Sequence, residues 1–342
     1  MDLATLNATA LELVKLGKGI LAADESSGTI EKRFKAIGVE STETNRRDYR
    51  ELMFRAPDAE KYISGVILYD ETIRQKAADG TPLVKLLASR GIIPGIKVDK
   101  GAVALPGSPK EKFTLGFDGL RERLAEYKTL GARFAKWRAV IEIDDVLPTE
   151  GCIAENSHSL ALYAALCQEA DIVPIVEPEV LMDGAHGIER CVAVTEAVHA
   201  AVFAALRRYG VALEGLLLKP NMAIAGAKAS KQAGVAEVAQ QTVKLLKRTV
   251  PAAVPGIVFL SGGQSDEVAT AHLNEMNKLG ALPWRLSFSY GRALQHAVQV
   301  TWKGSAGNMG AAQKAFQHRA RLNGAATLGR YTSAMEKELV PA

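Results

Sequence analysis

Eight short apolar segments recur along the chain, and each is rich in Ile, Val and Leu. They begin at Gly19, Tyr62, Gly91, Phe134, Asp171, Glu214, Gly256 and Trp284. Most are almost continuously apolar, which is typical of parallel strands that are buried on both faces. The pattern therefore predicts eight strands, one from each segment.

Stretches with the spacing of amphipathic helices lie between these segments. Clear examples begin at Ser157, Glu189 and Val235; the second closes on Gly210, and the third stops before Pro251, as helix ends commonly do. Eight strand–helix units in 342 residues predict an α/β protein built as one (β/α)₈ TIM barrel. A doubly wound open sheet uses the same elements, but the count of eight strands favours the barrel.

No linker or shift in composition divides the chain, so we expect a single domain over residues 1–342. From Lys303 onward the sequence is predicted to be helical and then polar, with approximately residues 332–342 forming a C-terminal tail outside the barrel. The first residues lack the basic start of a secretory signal, and no apolar run is long enough to cross a bilayer. We expect a cytoplasmic protein that does not bind membranes.

Composition excludes several other classes of protein. The chain is 48% hydrophobic and 23% charged, and 42 basic residues nearly balance 38 acidic ones without forming a long basic run. This argues against nucleic-acid binding. The three Cys and six His show no spacing typical of disulfide frameworks or tight metal sites. GKGILA precedes a strand instead of following one, so it fails as a dinucleotide motif. We expect no metal and no cofactor.

Ionisable residues stand out at the carboxyl ends of five predicted strands. Asp24 ends the first strand, and side chains two positions apart share a face. The face-sharing groups are Lys97 with Asp99, Lys136 with Arg138, Glu177 with Glu179, and Lys219 with Leu217 and Asn221. Barrel active sites lie at this end of the strands. A single buried charge is as readily a structural ion pair as a functional group, but several at one barrel mouth predict a site for acid–base chemistry on an anionic ligand.

Lys219 is the sharpest candidate nucleophile. It follows Gly-Leu-Leu-Leu, which would exclude water, and Lys97, Lys136 and Arg138 would surround it with positive charge. An amine in such a setting loses its proton more readily and can form a Schiff base with a ketone. The pattern alone leaves Lys136 open as the nucleophile, although its neighbour Arg138 favours an electrostatic role for it.

The last two strands end in loops that are suited to phosphate. The loops after strands seven and eight of such barrels commonly bind phosphate through backbone amides. Here these loops read LSGGQS and FSYGR, and the first of them contains Ser261 and Gly262. Ser289 and Arg292 follow on the second, where the alternative is a Gly-Ser turn with a surface arginine. A second anion site is suggested by DESSGT, although a Ser/Thr cluster before a helix is more often an N-cap.

Seven motifs together resemble the class I, Schiff-base fructose-bisphosphate aldolases. They are GILAADES, GIKVDKG, FAKWR, IVPIVEPE, LLKPNM, FLSGGQS and FSYGRALQ, and the resemblance runs from about residue 10 to about residue 332. It implies reversible cleavage of fructose 1,6-bisphosphate into dihydroxyacetone phosphate and glyceraldehyde 3-phosphate without a metal. It also implies small sugar phosphates as the binding partners and a homotetramer as the assembly.

The resemblance implies a role for each site residue. Lys219 would form the Schiff base, Glu177 would be the acid and base for carbinolamine chemistry, and Glu179 would hold the charge network beside it. Asp24 would take the proton of the C4 hydroxyl, and Lys136 would orient Asp24 and Glu177. The residues expected to bind the C1 phosphate are Ser261, Gly262, Ser289, Gly291 and Arg292. The residues expected at the C6 phosphate are Ser26, Thr29, Lys97 and Arg138, with Arg33 nearby.

One feature departs from the family pattern. Many members end in a Tyr that exchanges the proton at C3, whereas this sequence ends EKELVPA and its last Tyr is Tyr331. We therefore expect water or Glu177 to protonate the enamine. Two alternatives to this activity are another Schiff-base sugar-phosphate aldolase, and a sugar-phosphate-binding scaffold that has lost catalysis.

Overall fold

Eight parallel strands close into a barrel in the computed structural model, which describes residues 1–338. The strands of the described residues are Gly19–Ala23 (β1), Ile63–Leu68 (β2), Ile93–Lys97 (β3), Ala102–Leu105 (β4), Ser108–Thr114 (β5), Phe134–Ile141 (β6), Val173–Val180 (β7), Leu217–Leu218 (β8), Gly256–Phe259 (β9) and Arg285–Tyr290 (β10). Of these, β4 and β5 are the two strands of a separate hairpin. Around the barrel the order is β1, β2, β3, β6, β7, β8, β9 and β10, with β10 pairing back to β1. The predicted TIM barrel is confirmed, and each of the eight apolar segments contributes one barrel strand.

Helices pack around this closed sheet. They are Leu3–Leu13 (α1), Ser27–Ala36 (α2), Glu43–Phe54 (α3), Ala59–Tyr62 (α4), Asp70–Arg74 (α5), Leu83–Ser89 (α6), Leu120–Leu130 (α7), Glu150–Glu169 (α8), Ile188–Arg208 (α9), Val235–Thr249 (α10), Asp266–Lys278 (α11), Arg292–Trp302 (α12) and Met309–Ala326 (α13). Short 3₁₀ helices span Leu213–Gly215, Ala306–Asn308 and Ser333–Lys337. Helix α9 ends as predicted, since Gly210 follows it with φ at +66°.

The first helix closes the bottom of the barrel. Leu6, Ala10 and Leu13 on α1 belong to the same buried cluster as side chains from the barrel interior. The strand residues of that cluster are Ile20, Ala22, Ile67, Ile93, Phe134, Val173, Ile175, Leu217 and Val258. Burying each leucine contributes roughly 2 kcal/mol, so the amino-terminal end of the barrel is an apolar plug.

The top of the barrel interior is charged because the strands alternate. Ile175 on β7 points into the apolar cluster, and two positions further Glu177 lies on the same side. Phe134 and Lys136 repeat this relationship on β6, and the register pairs Lys136 with Ile175. The interior therefore changes from aliphatic to ionic within one layer of side chains, at the carboxyl ends of the strands.

Two parts of the chain differ from the sequence-based expectation. Strands β4 and β5 form a separate antiparallel hairpin, which the search for buried apolar runs missed because much of it is exposed. Helix α8 begins at Glu150, ahead of the apolar stretch from Ser157, because Thr149 caps it by accepting a hydrogen bond from the amide of Cys152.

No helix among residues 1–338 is long and apolar enough to span a membrane.

The C-terminal segment packs on the outside of the barrel. Helix α13 contacts α11 and α12, in agreement with the helical stretch predicted after Lys303. Of the predicted tail at 332–342, the structure describes the part up to residue 338, and residues 339–342 lie outside the described residues. The division into a domain and a tail stays a prediction.

Candidate active site

A cavity of about 430 Å³ opens at the carboxyl ends of the barrel strands. All fifteen predicted site residues line it: Asp24, Ser26, Thr29, Arg33, Lys97, Lys136, Arg138, Glu177, Glu179, Lys219, Ser261, Gly262, Ser289, Gly291 and Arg292. They come from seven strands, the loops that follow them, and helices α2 and α12, so the closed sheet brings together residues that are distant in sequence. The functions assigned to these residues remain predictions.

Lys136 is the centre of a buried ionic cluster. Its Nζ atom lies 2.7 Å from Oδ2 of Asp24, 3.4 Å from Oε2 of Glu177 and 3.8 Å from Oδ2 of Asp99. Burial opposes the charge of Lys136, but the carboxylates, led by Asp24, outweigh burial and raise its pKa above the ordinary value. Burial likewise would raise the pKa of Asp24, yet the surrounding cations, led by Lys136, lower it. Both groups are therefore charged at neutral pH.

Lys219 contacts the same cluster from the adjoining strand. The backbone amide of Lys219 donates to the carbonyl of Val176, which extends the β7–β8 ladder and fixes the residue in register. Lys219 as a whole is only 4% exposed, and the three preceding leucines are fully buried. Nζ of Lys219 lies 3.1 Å from Oε1 of Glu177. The predicted nucleophile is thus almost inaccessible to solvent and lies directly beside the predicted acid and base.

Glu177 bridges the two lysines with its two carboxylate oxygens. Burial would raise its pKa, but the nearby cations, led by Lys219 and Lys136, lower it, so the resting carboxylate is ionised. Beyond it on β7, Glu179 accepts a charge-assisted hydrogen bond of 2.5 Å from Nε of Arg138. Burial opposes the charge of Arg138, and the carboxylate of Glu179 more than compensates, so its pKa is raised.

The loops after β9 and β10 form one polar end of the cavity. Gly262 has φ at +55°, a left-handed conformation that glycine adopts without strain. Gly291 is the N-cap of α12 and has no side chain to cap that helix. The Oγ atom of Ser289 is buried without a protein partner among the described residues. The guanidinium of Arg292 donates to the carbonyl of Gln264. The backbone amides of this glycine-containing loop and helix start, the serine hydroxyl and the guanidinium are together suited to binding a phosphate.

Hydroxyls and cations also line the cavity beyond the ends of β1 and β3. The Oγ of Ser26 and the Oγ1 of Thr29 lie 3.1 Å apart. The N-cap residue of α2 is Ser26, but its side chain makes no capping hydrogen bond, so the simple capping interpretation does not account for it. Nζ of Lys97 lies 3.5 Å from Oδ1 of Asp99. This end presents the donors that a second anion needs.

Arg33 differs from the sequence-based expectation in its neighbours. Its Nη1 atom lies 2.5 Å from Oε1 of Glu25, a buried carboxylate that also accepts from Gln295 at 2.7 Å. Its Nη2 atom lies 4.0 Å from the position a Cβ would take on Gly291. Arg33 therefore lies beside a residue of the β10 loop, which is the predicted C1 end, although the resemblance places it near the C6 end.

Sequence reasoning missed some cavity residues and misplaced one neighbour. Glu25, Met182 and Asp183 also line the cavity; all three follow strand ends, where alternation gives no signal. The expectation that Asn221 shares the face of Lys219 is wrong. Strand β8 ends at Leu218, and Asn221, unlike Lys219, does not line the cavity. The amide of Asn221 instead donates to Thr195 of α9, outside the barrel.

Tyr331 lies away from the cavity. It is buried between α11 and the C-terminal segment, where its backbone amide donates to Asn274 at 2.8 Å. Its hydroxyl donates to Oε1 of Glu336, also at 2.8 Å. The last tyrosine of the chain is therefore engaged elsewhere.

Comparison with known proteins gives a consistent result. The family model described as "Fructose-bisphosphate aldolase class-I" matches residues 5–340. A "Probable fructose-bisphosphate aldolase class 1" from Xanthomonas campestris pv. campestris is 58% identical over 97% of this chain and 99% of its own length. "Fructose-bisphosphate aldolase 6, cytosolic" from Arabidopsis thaliana is 56% identical over 92% of this chain and 88% of its own.

A solved structure has nearly the same fold. It is fructose-bisphosphate aldolase from Plasmodium falciparum, in complex with TRAP and a small-molecule inhibitor. The two structures superpose with a TM-score of 0.96 at 52% sequence identity, covering 97% of this chain and 96% of that one. The similarity extends over the whole barrel.

Proposed function

Because this chain belongs to the class I fructose-bisphosphate aldolase family and is accordingly a lyase, we propose that it acts through a Schiff base on Lys219. The reaction is the reversible cleavage of fructose 1,6-bisphosphate into dihydroxyacetone phosphate and glyceraldehyde 3-phosphate. The observation that carries this proposal is the buried 3.1 Å contact between Lys219 and Glu177. It places a shielded amine beside a carboxylate that can accept its proton.

The first step joins the enzyme to the substrate. Transfer of a proton from the Lys219 ammonium to Glu177 frees the nitrogen lone pair, which attacks the C2 carbonyl to give a carbinolamine. Glu177 then returns a proton to the C2 hydroxyl, and water leaves as the iminium forms. Lys136 contacts the other oxygen of Glu177 at 3.4 Å and holds the carboxylate in place through both transfers.

The second step breaks the C3–C4 bond. Asp24 takes the proton of the C4 hydroxyl, the electrons of the bond move into the iminium, and glyceraldehyde 3-phosphate leaves from an enamine. Its depressed pKa makes Asp24 a weak base, so the proton transfer is aided by Lys136, 2.7 Å away. That ammonium stabilises negative charge as it develops on the C4 oxygen.

The final steps release the second product. The proton that Asp24 took passes through Lys136, which contacts both carboxylates, or through water to Glu177. Glu177 or that water then protonates the enamine at C3, since the hydroxyl of Tyr331 is bound to Glu336. Water then hydrolyses the iminium, which frees dihydroxyacetone phosphate and restores Lys219. Every proton taken up is returned within the cycle. Because aldol cleavage involves no net oxidation or reduction, no redox partner is required.

The two polar ends of the cavity fit the two phosphates. We assign the C1 phosphate to the β9 and β10 loops, where Ser289 has a buried hydroxyl without a protein partner among residues 1–338. We assign the C6 phosphate to the end with Ser26, Thr29, Lys97 and Arg138. Arg33 is reassigned to the C1 end because it lies beside Gly291. We also propose a cytoplasmic location. We propose a homotetramer as the assembly, and light scattering of the purified protein would measure its mass.

Cleavage measured in the presence of a chelator tests the proposal. Purified protein should convert fructose 1,6-bisphosphate to both triose phosphates at an unchanged rate in EDTA, because no step uses a metal. Loss of activity in EDTA that zinc restores would contradict the Schiff-base mechanism. Binding of the bisphosphate without turnover would favour the scaffold alternative. Cleavage confined to other sugar phosphates would favour a different Schiff-base aldolase.

A further inference from the structure

Met182 covers the loop to which the C1 phosphate is assigned. Its Sδ atom accepts a hydrogen bond from the backbone amide of Gly263, with 2.7 Å between nitrogen and sulfur. The same atom lies 3.1 Å from the position a Cβ would take on Gly262. The side chain is partly buried and lines the cavity. The sulfur therefore contacts the backbone of Gly263 and fills the space beside Gly262.

The backbone of Met182 is fixed, whereas its side chain can change rotamer. The carbonyl of Met182 accepts from the amide of Ala227 at 2.6 Å, and the neighbouring amide of Leu181 donates to Ile141 at 2.9 Å. Methionine is unbranched and has three rotatable side-chain bonds. The sulfur can consequently leave Gly263 without any movement of the loop.

A thioether is a weak acceptor, so a phosphate oxygen readily takes its place at the amide of Gly263. A sulfoxide is different, because its oxygen is a strong acceptor on the same flexible side chain. We propose that Met182 is an oxidation site that regulates phosphate binding. Its sulfoxide holds the amide of Gly263 and occupies the space of the C1 phosphate. This inference rests on the C1 assignment made in the proposed function.

The chemistry requires a peroxide as the oxidant. A sulfur lone pair attacks one peroxide oxygen and the O–O bond breaks. The sulfur gains that oxygen and is oxidised by two electrons, and the other oxygen leaves as water after proton transfer. Partial exposure in an open cavity gives the peroxide access to this sulfur, whereas Met53, Met222 and Met276 are about 1% exposed or less.

Peroxide treatment of the full-length protein tests the inference. After mild treatment with hydrogen peroxide, peptide mapping should find sulfoxide at Met182, and the KM for fructose 1,6-bisphosphate should rise about tenfold, equivalent to one added hydrogen bond of ~1.4 kcal/mol. The kcat should change less than twofold, since the ionic cluster is untouched. A methionine sulfoxide reductase should restore the KM.

Three variants separate this effect from general damage. Met182→Leu keeps the side-chain volume and should show the same KM before and after peroxide. Met309→Leu removes an exposed methionine away from the cavity and should stay as sensitive as the wild type. Met182→Gln imitates the sulfoxide oxygen and should raise KM without any oxidant.

Three results would overturn the inference while leaving the proposed function standing. They are an unmodified Met182, an unchanged KM after complete oxidation of Met182, or a Met182→Leu protein that loses affinity as the wild type does. An untreated wild-type protein that never cleaves fructose 1,6-bisphosphate would instead overturn the proposed function, and the inference with it.

Discussion

Nζ of Lys219 lies 3.1 Å from one carboxylate oxygen of Glu177, whose other oxygen lies 3.4 Å from Nζ of Lys136. One carboxylate thus contacts two lysine side chains, one on β6 and one directly after β8. A proton lost by Lys219 can move to Glu177 while Lys136 keeps the carboxylate oriented. This arrangement supplies the amine of Lys219 with a buried carboxylate that can accept its proton.

Glu177→Gln should separate proton transfer from binding. Glutamine has nearly the same shape as glutamate but cannot accept the proton of Lys219, so kcat should fall by roughly 10²- to 10⁴-fold. The KM should change little, because the phosphate loops are unaffected. Steady-state cleavage assays measure both quantities. A kcat within twofold of the wild type would remove Glu177 from the mechanism.

Arg292→Ala should weaken binding at the C1 end. The guanidinium lines the cavity and donates to the carbonyl of Gln264, so its removal deletes a cation without altering the ionic cluster. Losing one charge-assisted hydrogen bond of about 1.5–3 kcal/mol should raise the KM for phosphorylated substrates by roughly 10- to 100-fold. Arg208→Ala, at the exposed end of α9, is the matched control. An unchanged KM would move the C1 phosphate elsewhere.

Two buried histidines should make the fold sensitive to acid. Burial lowers the pKa of His199 and of His272 from 6.5 to about 4. At a pH between 6.5 and about 4, these two histidines are protonated in the unfolded chain but remain neutral in the folded protein. The free energy of unfolding should therefore decrease as pH falls from about 6.5 to about 4, by up to ~1.4 kcal/mol per pH unit for each histidine.

Urea unfolding at several pH values would measure this dependence. The midpoint should fall more steeply with acid in the wild type than in a protein carrying His199→Gln and His272→Gln. The δ nitrogen of His272 lies 2.6 Å from the amide oxygen of Gln264, so the single His272 variant also reports on the loop after β9. Identical slopes in the wild type and the double variant would contradict the assignment.

Much of the fold was predictable because barrel strands are buried on both faces. A strand such as β7 is apolar on the face that packs against the helices, and also on its inner face near the amino-terminal end of the barrel. The two carboxylates Glu177 and Glu179 therefore stand out in its sequence. The hairpin of β4 and β5 lacked this constraint, and its exposed residues gave no periodic signal. Asn221 was misplaced for a related reason, since alternation stops where β8 ends at Leu218.

The candidate site was predictable where its residues lie on strands and less so where they lie on loops. Lys136 and Lys219 follow from strand alternation together with the resemblance. Met182 could not be found in this way, because its contact with Gly263 joins loops 81 positions apart. Arg33 shows the same limit, since its side chain reaches the β10 loop instead of the expected end.

Trapping the intermediate with borohydride tests the central claim most directly. Dihydroxyacetone phosphate should form the iminium, and sodium borohydride should reduce it to a stable amine. Peptide mapping should then find one label, on Lys219. The Lys219→Ala variant should take up no label. In this variant Glu177 still contacts Lys136, so circular dichroism should show a folded protein. A label on Lys136 instead, or no label on an active wild-type enzyme, would contradict the account.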